Sequence, residues 1–164
     1  MSNTKVQSLK EVIEFQHQLT VWYASLLKNT DPNKCFEIEG KKMNSLYWIV
    51  AHLANSEDGL LAKALGKKGN ELKWLKKYKL GASQNIPNEV SYAELVSIAK
   101  KIHENCMKTL DELTDEDLKK DNSLGFTFAG DQSIHAIIMH HIRHEGVHTG
   151  HLSILCKLNG IKTV

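Results

Sequence analysis

Apolar side chains recur every three or four positions in four stretches of the chain, and nowhere is strict alternation of apolar and polar residues sustained, so the expected class is all-α. The first stretch runs from about Lys5 to Lys28. Val6, Leu9, Ile13, Gln16, Thr20, Tyr23 and Leu27 share one face, and the pattern stops before Asn29-Thr30-Asp31-Pro32, where the residue ahead of proline is driven out of the helical region. The second runs from about Asn44 to Leu65 on Leu46, Ile49, Leu53, Glu57, Leu60 and Ala64, with Gly66 suited to the left-handed position past its end. The third opens on Ser91-Tyr92-Ala93-Glu94, a capping box, and its stripe is Leu95, Ile98, Ile102, Cys106, Thr109 and Leu113. The fourth begins near Asp131 or Ser133 and continues to Leu158, ahead of Asn159-Gly160. Between the second and third, residues 67–90 read as a loop-like crossover, with Asn70 to Leu75 the one segment suggesting a short helix.

Four helices with one apolar stripe each can bury those stripes against one another as a four-helix bundle with long crossover connections. The connections are too long to dictate the order in which neighbours pack. Composition agrees. With 164 residues, 41% of them hydrophobic and 24% charged, the chain is expected to form a single domain over residues 1–164, and disorder is excluded as its main description. Its 21 basic against 19 acidic residues leave a net charge of +2, too little for nucleic-acid binding by general electrostatics. No uninterrupted apolar stretch is long enough for a membrane span or a secretory leader, and three widely spaced cysteines (Cys35, Cys106 and Cys156) form no CxxC pair. A reducing, cytoplasmic setting is expected.

Histidine changes the picture. Of nine in the chain, His135, His140, His141, His144, His148 and His151 all fall in the last stretch. On a helix, His140, His144, His148, His151 and, at the edge, His141 lie within about 100° of arc, on the stripe that faces the core. A buried neutral imidazole wants a partner for each ring nitrogen, and an orphaned one costs about 1–3 kcal/mol. One inward histidine is ordinarily satisfied by its neighbours; several together are harder to satisfy. A divalent metal removes the difficulty, because histidines at i and i+4, such as His144 and His148, can aim two nitrogens at one point. A third ligand should come from a facing helix, where His52 lies at the border of the inward stripe; periodicity alone leaves it equally a ligand or a polar boundary residue. His140, His141 and His151 are open between surface, supporting and ligand roles, and the single His17 and His103 read as solvent-facing.

His144-Glu145-Gly146-Val147-His148 matches the HExxH pattern of zinc proteases, but its continuation fails. One protease class needs Gly at 151 and His at 154, where the chain has His151 and Ile154; another needs a downstream carboxylate, and no Asp or Glu follows Glu145. Glu145 remains a candidate proton shuttle or hydrogen-bond acceptor near the pair, or else a carboxylate on the helix surface.

With Trp48-Ile49-Val50-Ala51-His52-Leu53-Ala54-Asn55-Ser56-Glu57 in the second helix and His144-Glu145-Gly146-Val147-His148-Thr149-Gly150-His151 leading into Leu152-Ser153-Ile154-Leu155 in the fourth, the sequence resembles the DinB-like superfamily of small four-helix-bundle proteins over nearly its whole length. The family pattern is His-Leu at the first place and His-Glu-x-x-His-x-Gly-Gln at the second. The resemblance implies a divalent metal, zinc or nickel, held by His52, His144 and His148, and for some relatives transfer or isomerisation that uses a low-molecular-weight thiol such as bacillithiol or mycothiol. His151 departs from the family's Gln.

Three neutral imidazoles leave the full +2 charge on such an ion and at least one position open, as in catalytic zinc sites. The ion can bring a bound water toward a pKa of about 7 or hold a thiol as thiolate. The leading expectation is therefore a metal-dependent thiol S-transferase or isomerase acting on a small-molecule substrate, with the crossover and helix ends forming the pocket. Metal-assisted hydrolysis, with Glu145 or a histidine moving the proton, is an alternative; so is a metal-binding stress-response protein without catalysis. Cys106 reads as core and Cys35 as loop. Trp22, Trp48, Trp74, Tyr47 and Tyr78 read first as packing, and the basic run from Lys73 to Lys79 as a solvated face. Gly146 and Gly150 give a flat patch that leaves a homodimer, or close approach of a helix of the same chain, open.

Overall fold

The computed structural model describes residues 4–163. Its frame is four helices, α1 (Lys5–Leu26), α2 (Leu46–Leu61), α3 (Tyr92–Asp111) and α4 (Ile134–Leu158). Each starts on a side-chain cap: Thr4, Ser45, Ser91 and Ser133 accept from the amides of Gln7, Trp48, Glu94 and Ala136, which leaves fewer orphan donors in each first turn. The Ser91–Glu94 capping box is formed in both directions. Asp115, just past α3, accepts from the amides of Lys5 and Val6 and so ties that end of α3 to the start of α1.

The packing order that the sequence leaves open is now visible. α2 packs on α3 and α4, α4 packs on α1, and α1 touches α3 more sparingly, so α1 stands diagonally across from α2 and α3 across from α4. The connections 27–45 and 112–133 therefore cross the bundle instead of making tight hairpins. α2 is the most enclosed helix: Leu46, Tyr47, Trp48, Ile49, Ala51, His52, Ala54, Glu57, Asp58, Leu60 and Leu61 are all buried. Among the described residues, no helix is long and apolar enough to cross a membrane.

Several boundaries shift from the expected ones. The regular part of α2 ends at Leu61, and Lys63–Leu65 tighten into a 3-10 turn closed by Gly66 at φ +76°, where a side chain would be strained. The short helix expected at Asn70 to Leu75 forms instead as a 3-10 turn at Leu75–Tyr78, because the Asn70 side chain accepts from the Leu72 amide and Asp58 takes the Asn70 amide, holding that segment open. Glu37–Ile38 and Lys41–Lys42 pair as a two-stranded hairpin too short to show a period in sequence. On α3 the buried face includes His103, Met107 and Leu110, and Thr109 sits at its margin.

Candidate metal centre

α2 and α4 lie side by side, and their facing stripes bring His52, His144 and His148 together. Each of the three offers a ring nitrogen within 4.8 Å of the others. The ring centroids are 5.0 Å apart for His52 and His144, 4.8 Å for His52 and His148, and 4.7 Å for His144 and His148. His52 and His148 are buried and His144 is half-buried. Burial holds the His52 imidazole below its ordinary pKa; burial and the neighbouring imidazoles bring His144 down to about 4 and His148 to about 3. All three are therefore neutral near pH 7 and keep lone pairs to share.

The proton arrangement shows that the set fits a cation. His52 Nδ1 lies 2.6 Å from the carbonyl oxygen of Tyr78, which can only accept, so Nδ1 carries the proton and Nε2 is a bare lone pair. That lone pair meets His144 Nε2 at 3.0 Å. If His144 is protonated on Nδ1, two lone pairs oppose each other at that distance. If it is protonated on Nε2, the lone pair on Nδ1 is buried without a partner. A divalent ion between the rings removes the opposition of lone pairs, and an all-imidazole set suits zinc or nickel.

The surroundings hold the rings in place. Trp48 stacks on His52 with centroids 4.8 Å apart. His148 Nδ1 is 3.2 Å from His151 Nδ1, so the departure from the family pattern at 151 places a ring against one of the three imidazoles. His140 is drawn aside, stacked on Phe128 at 3.6 Å. Trp48 and Tyr78, which both touch His52, also line a cleft of about 380 Å³ together with Cys35, Lys42, Ser45 and Asn85. The cleft is built from the connections 27–45 and 67–90 and the start of α2, and none of the three histidines lines it. Tyr47 and Tyr78 are fully buried and Trp48 nearly so, as the packing reading expects, whereas Trp22 is 38% exposed.

One open alternative closes and one expectation needs correction. Glu145 is not a surface carboxylate: it is 3% exposed, and Oε1 accepts from His17 Nδ1 at 3.1 Å while Oε2 lies 3.6 Å from His141 Nε2. His17 and His103 do not face solvent either. Their rings stack at 3.6 Å with planes 5° apart, and His103, 7% exposed, donates from Nδ1 to Glu57 Oε1 at 2.7 Å. Single-helix periodicity missed them because each helix contributes only one or two polar groups to this second cluster. Glu57 on the inward stripe of α2 was the available signal. Gly146 accommodates α1, with the Gln16 side chain 3.5 Å from where its Cβ would lie; Gly150 faces open space.

Solved structures repeat the whole architecture at low identity. An uncharacterised protein from Escherichia coli UTI89 is 16% identical with a TM-score of 0.65, covering 98% of this chain and 98% of that one. A conserved protein from Enterococcus faecalis is 12% identical with a TM-score of 0.63, covering 93% of this chain and 95% of that one. No curated protein matches the chain. The family model of the DinB superfamily matches residues 18–152, a span that contains His52, His144 and His148. With most of its length so matched, and with the four-helix fold to go with it, the chain belongs to the DinB superfamily.

Proposed function

We propose that this protein is a divalent-metal-dependent enzyme in which His52, His144 and His148 hold zinc or nickel, and that it transfers or isomerises a small substrate with the help of a low-molecular-weight thiol. The observation that carries the reading is the convergence of three neutral, largely buried imidazoles from two helices, with ligand atoms within 4.8 Å of one another and no carboxylate among them. A dication bound by neutral ligands alone keeps its full charge, and with a position open it makes a water or thiol nucleophilic near neutral pH.

The protein's own groups prepare that chemistry. The Tyr78 carbonyl fixes the tautomer of His52, and His151 meets the nitrogen of His148 that bears on its orientation, so both rings are held before any ligand arrives. Trp48 covers His52 and keeps water from its face. The cleft beside Trp48 and Tyr78 has room for a small thiol or substrate, with Lys42 and Asn85 to meet a carboxylate. Glu145 serves only indirectly: bonded to His17, with His141 Nε2 3.6 Å away, it ties the α4 histidine face to α1.

The test uses protein purified without a nickel column. Elemental analysis should find zinc or nickel in the wild type and lose it in His52→Ala and His148→Ala. Turnover of a generic electrophile should require both the metal and bacillithiol or mycothiol. Unchanged metal content in the two variants would remove the site; turnover of an ester without thiol would make the protein a hydrolase instead.

A further inference from the structure

About one and a half turns along α2 from His52, all four helices send polar side chains to the middle of the bundle. α1 contributes His17, with Glu14 at the rim; α2 contributes Glu57, α3 His103, and α4 His141 and Glu145. His17, Glu57 and His103 each offer a ligand atom within 4.8 Å of the others. Four buried atoms in the group make no hydrogen bond among the described residues: both ring nitrogens of His141, His103 Nε2, which faces Glu14 Oε2 at 3.5 Å, and Glu145 Oε2, which faces His141 Nε2 at 3.6 Å. His141 is only 2% exposed, so bulk solvent does not reach it.

Protons alone do not satisfy this group. His141 makes no hydrogen bond from either nitrogen, its nearest carboxylate being Glu145, with Oε2 3.6 Å from Nε2. His17 and His103 stack face to face with centroids 3.6 Å apart, so both present a ring nitrogen to the same place as the Glu57 carboxylate. Two buried carboxylates, Glu57 and Glu145, supply the charge that a dication would need. Four-helix bundles build metal centres in this way, from inward Glu residues on facing helices and Glu-x-x-His pairs; here Glu14-Phe15-Gln16-His17 has that spacing on α1, with His17 inward and Glu14 at the rim.

We propose that the centre of the bundle is a second divalent-metal site, with His17, Glu57 and His103 as ligands and with Glu145 and His141 next in reach. A mixed imidazole and carboxylate set suits a first-row transition-metal dication such as Fe2+, Mn2+ or Zn2+, in contrast with the all-nitrogen triad. This inference does not depend on the proposed reaction.

Its test counts metal, not activity. The full chain, unfolded with chelator and refolded with excess Co2+ so that the buried site can load, is desalted and analysed for cobalt, and the absorption of bound Co2+ is recorded. Wild type should retain two Co2+ per chain. His148→Ala should retain one, and its spectrum should be that of the mixed-ligand site. Adding Glu57→Gln and His103→Asn to His148→Ala should remove it. No Co2+ in folded His148→Ala would overturn the proposal, whatever the wild type retains. So would a Co2+ that persists in the triple variant. Should the triple variant fail to fold, the His148→Ala count decides alone.

Discussion

The triad of His52, His144 and His148 and the cluster around His17, Glu57 and His103 lie about one and a half helical turns apart, yet opposite rules govern them. The triad contains only neutral imidazoles, comes from two adjacent helices, and lies beside a cleft. The central cluster mixes imidazoles with two buried carboxylates and draws on every helix. On the proposed reading, the difference separates a centre suited to chemistry from one suited to tying the helices together. A set without carboxylates leaves a bound cation electron-hungry, whereas one with carboxylates neutralises it and binds the helices together.

The comparison breaks most visibly at the triad's ligands. His148→Ala should lower metal affinity there by more than about 100-fold, since even changes to groups that only orient a ligand cost ~10–100-fold. Equilibrium dialysis against a competing chelator reads this, and the helical circular dichroism should be retained. A tenfold change or less would show that two imidazoles suffice.

In the central cluster the larger effect should fall on stability. Glu57→Ala removes the acceptor of the 2.7 Å bond from His103 and leaves that ring buried without its partner, which should destabilise the fold by about 3 kcal/mol or more in urea denaturation. The metal bound by the triad should remain. Equal loss of stability from His148→Ala in metal-free protein would erase the distinction between the two regions.

Acid and base should pull the two regions in opposite directions. His144 and His148 titrate near 4 and 3 when folded, against 6.5 when unfolded, so their contribution to metal-free stability is full above pH 6.5 and falls away as acid is added between 6.5 and 3. For His103, burial lowers the pKa, but the Glu57 bond and the charges of Glu57 and Glu14 outweigh it and raise the value above 6.5; its contribution is full below 6.5 and is lost as pH rises through the raised value. Urea titrations across pH should show a shallower acid limb in His144→Ala/His148→Ala and a changed limb above neutrality in His103→Asn. If both variants parallel the wild type, the assignment of the two limbs fails.

The smallest effect separates α1–α4 packing from either site. Thr149 Oγ1 lies 2.7 Å from Thr20 Oγ1 and accepts from Gln16 Nε2 at 2.8 Å, so Thr149→Val should cost about 1 kcal/mol while leaving metal content unchanged. A change in metal content would mean that the helix interface sets the geometry of a site.

The fold was legible in the sequence because each helix carries a one-sided stripe, and for α3 Ser91 through Glu94 marks the start from local chemistry alone. The packing order was not, since connections such as 27–45 and 112–133 are long enough to reach any neighbour. His144 and His148 stood out because i and i+4 on one helix share a face. His52 needed the family resemblance, as its own helix places it only at the edge of a stripe. The histidines at 17 and 103 were misread for the same physical reason that makes them interesting: a cluster assembled one residue at a time from four helices has no period in any of them. Glu145 was drawn to the triad by the HExxH spacing, but the turn of α4 aims it at α1 instead.

The most direct test of the three-imidazole centre is a crystal of protein never exposed to a nickel column, with diffraction recorded above and below the absorption edges of zinc and nickel. An anomalous peak about 2.1 Å from a nitrogen of each of His52, His144 and His148 is the predicted result. Well-ordered rings at these positions with no peak between them, in protein whose elemental analysis shows bound metal, would contradict it.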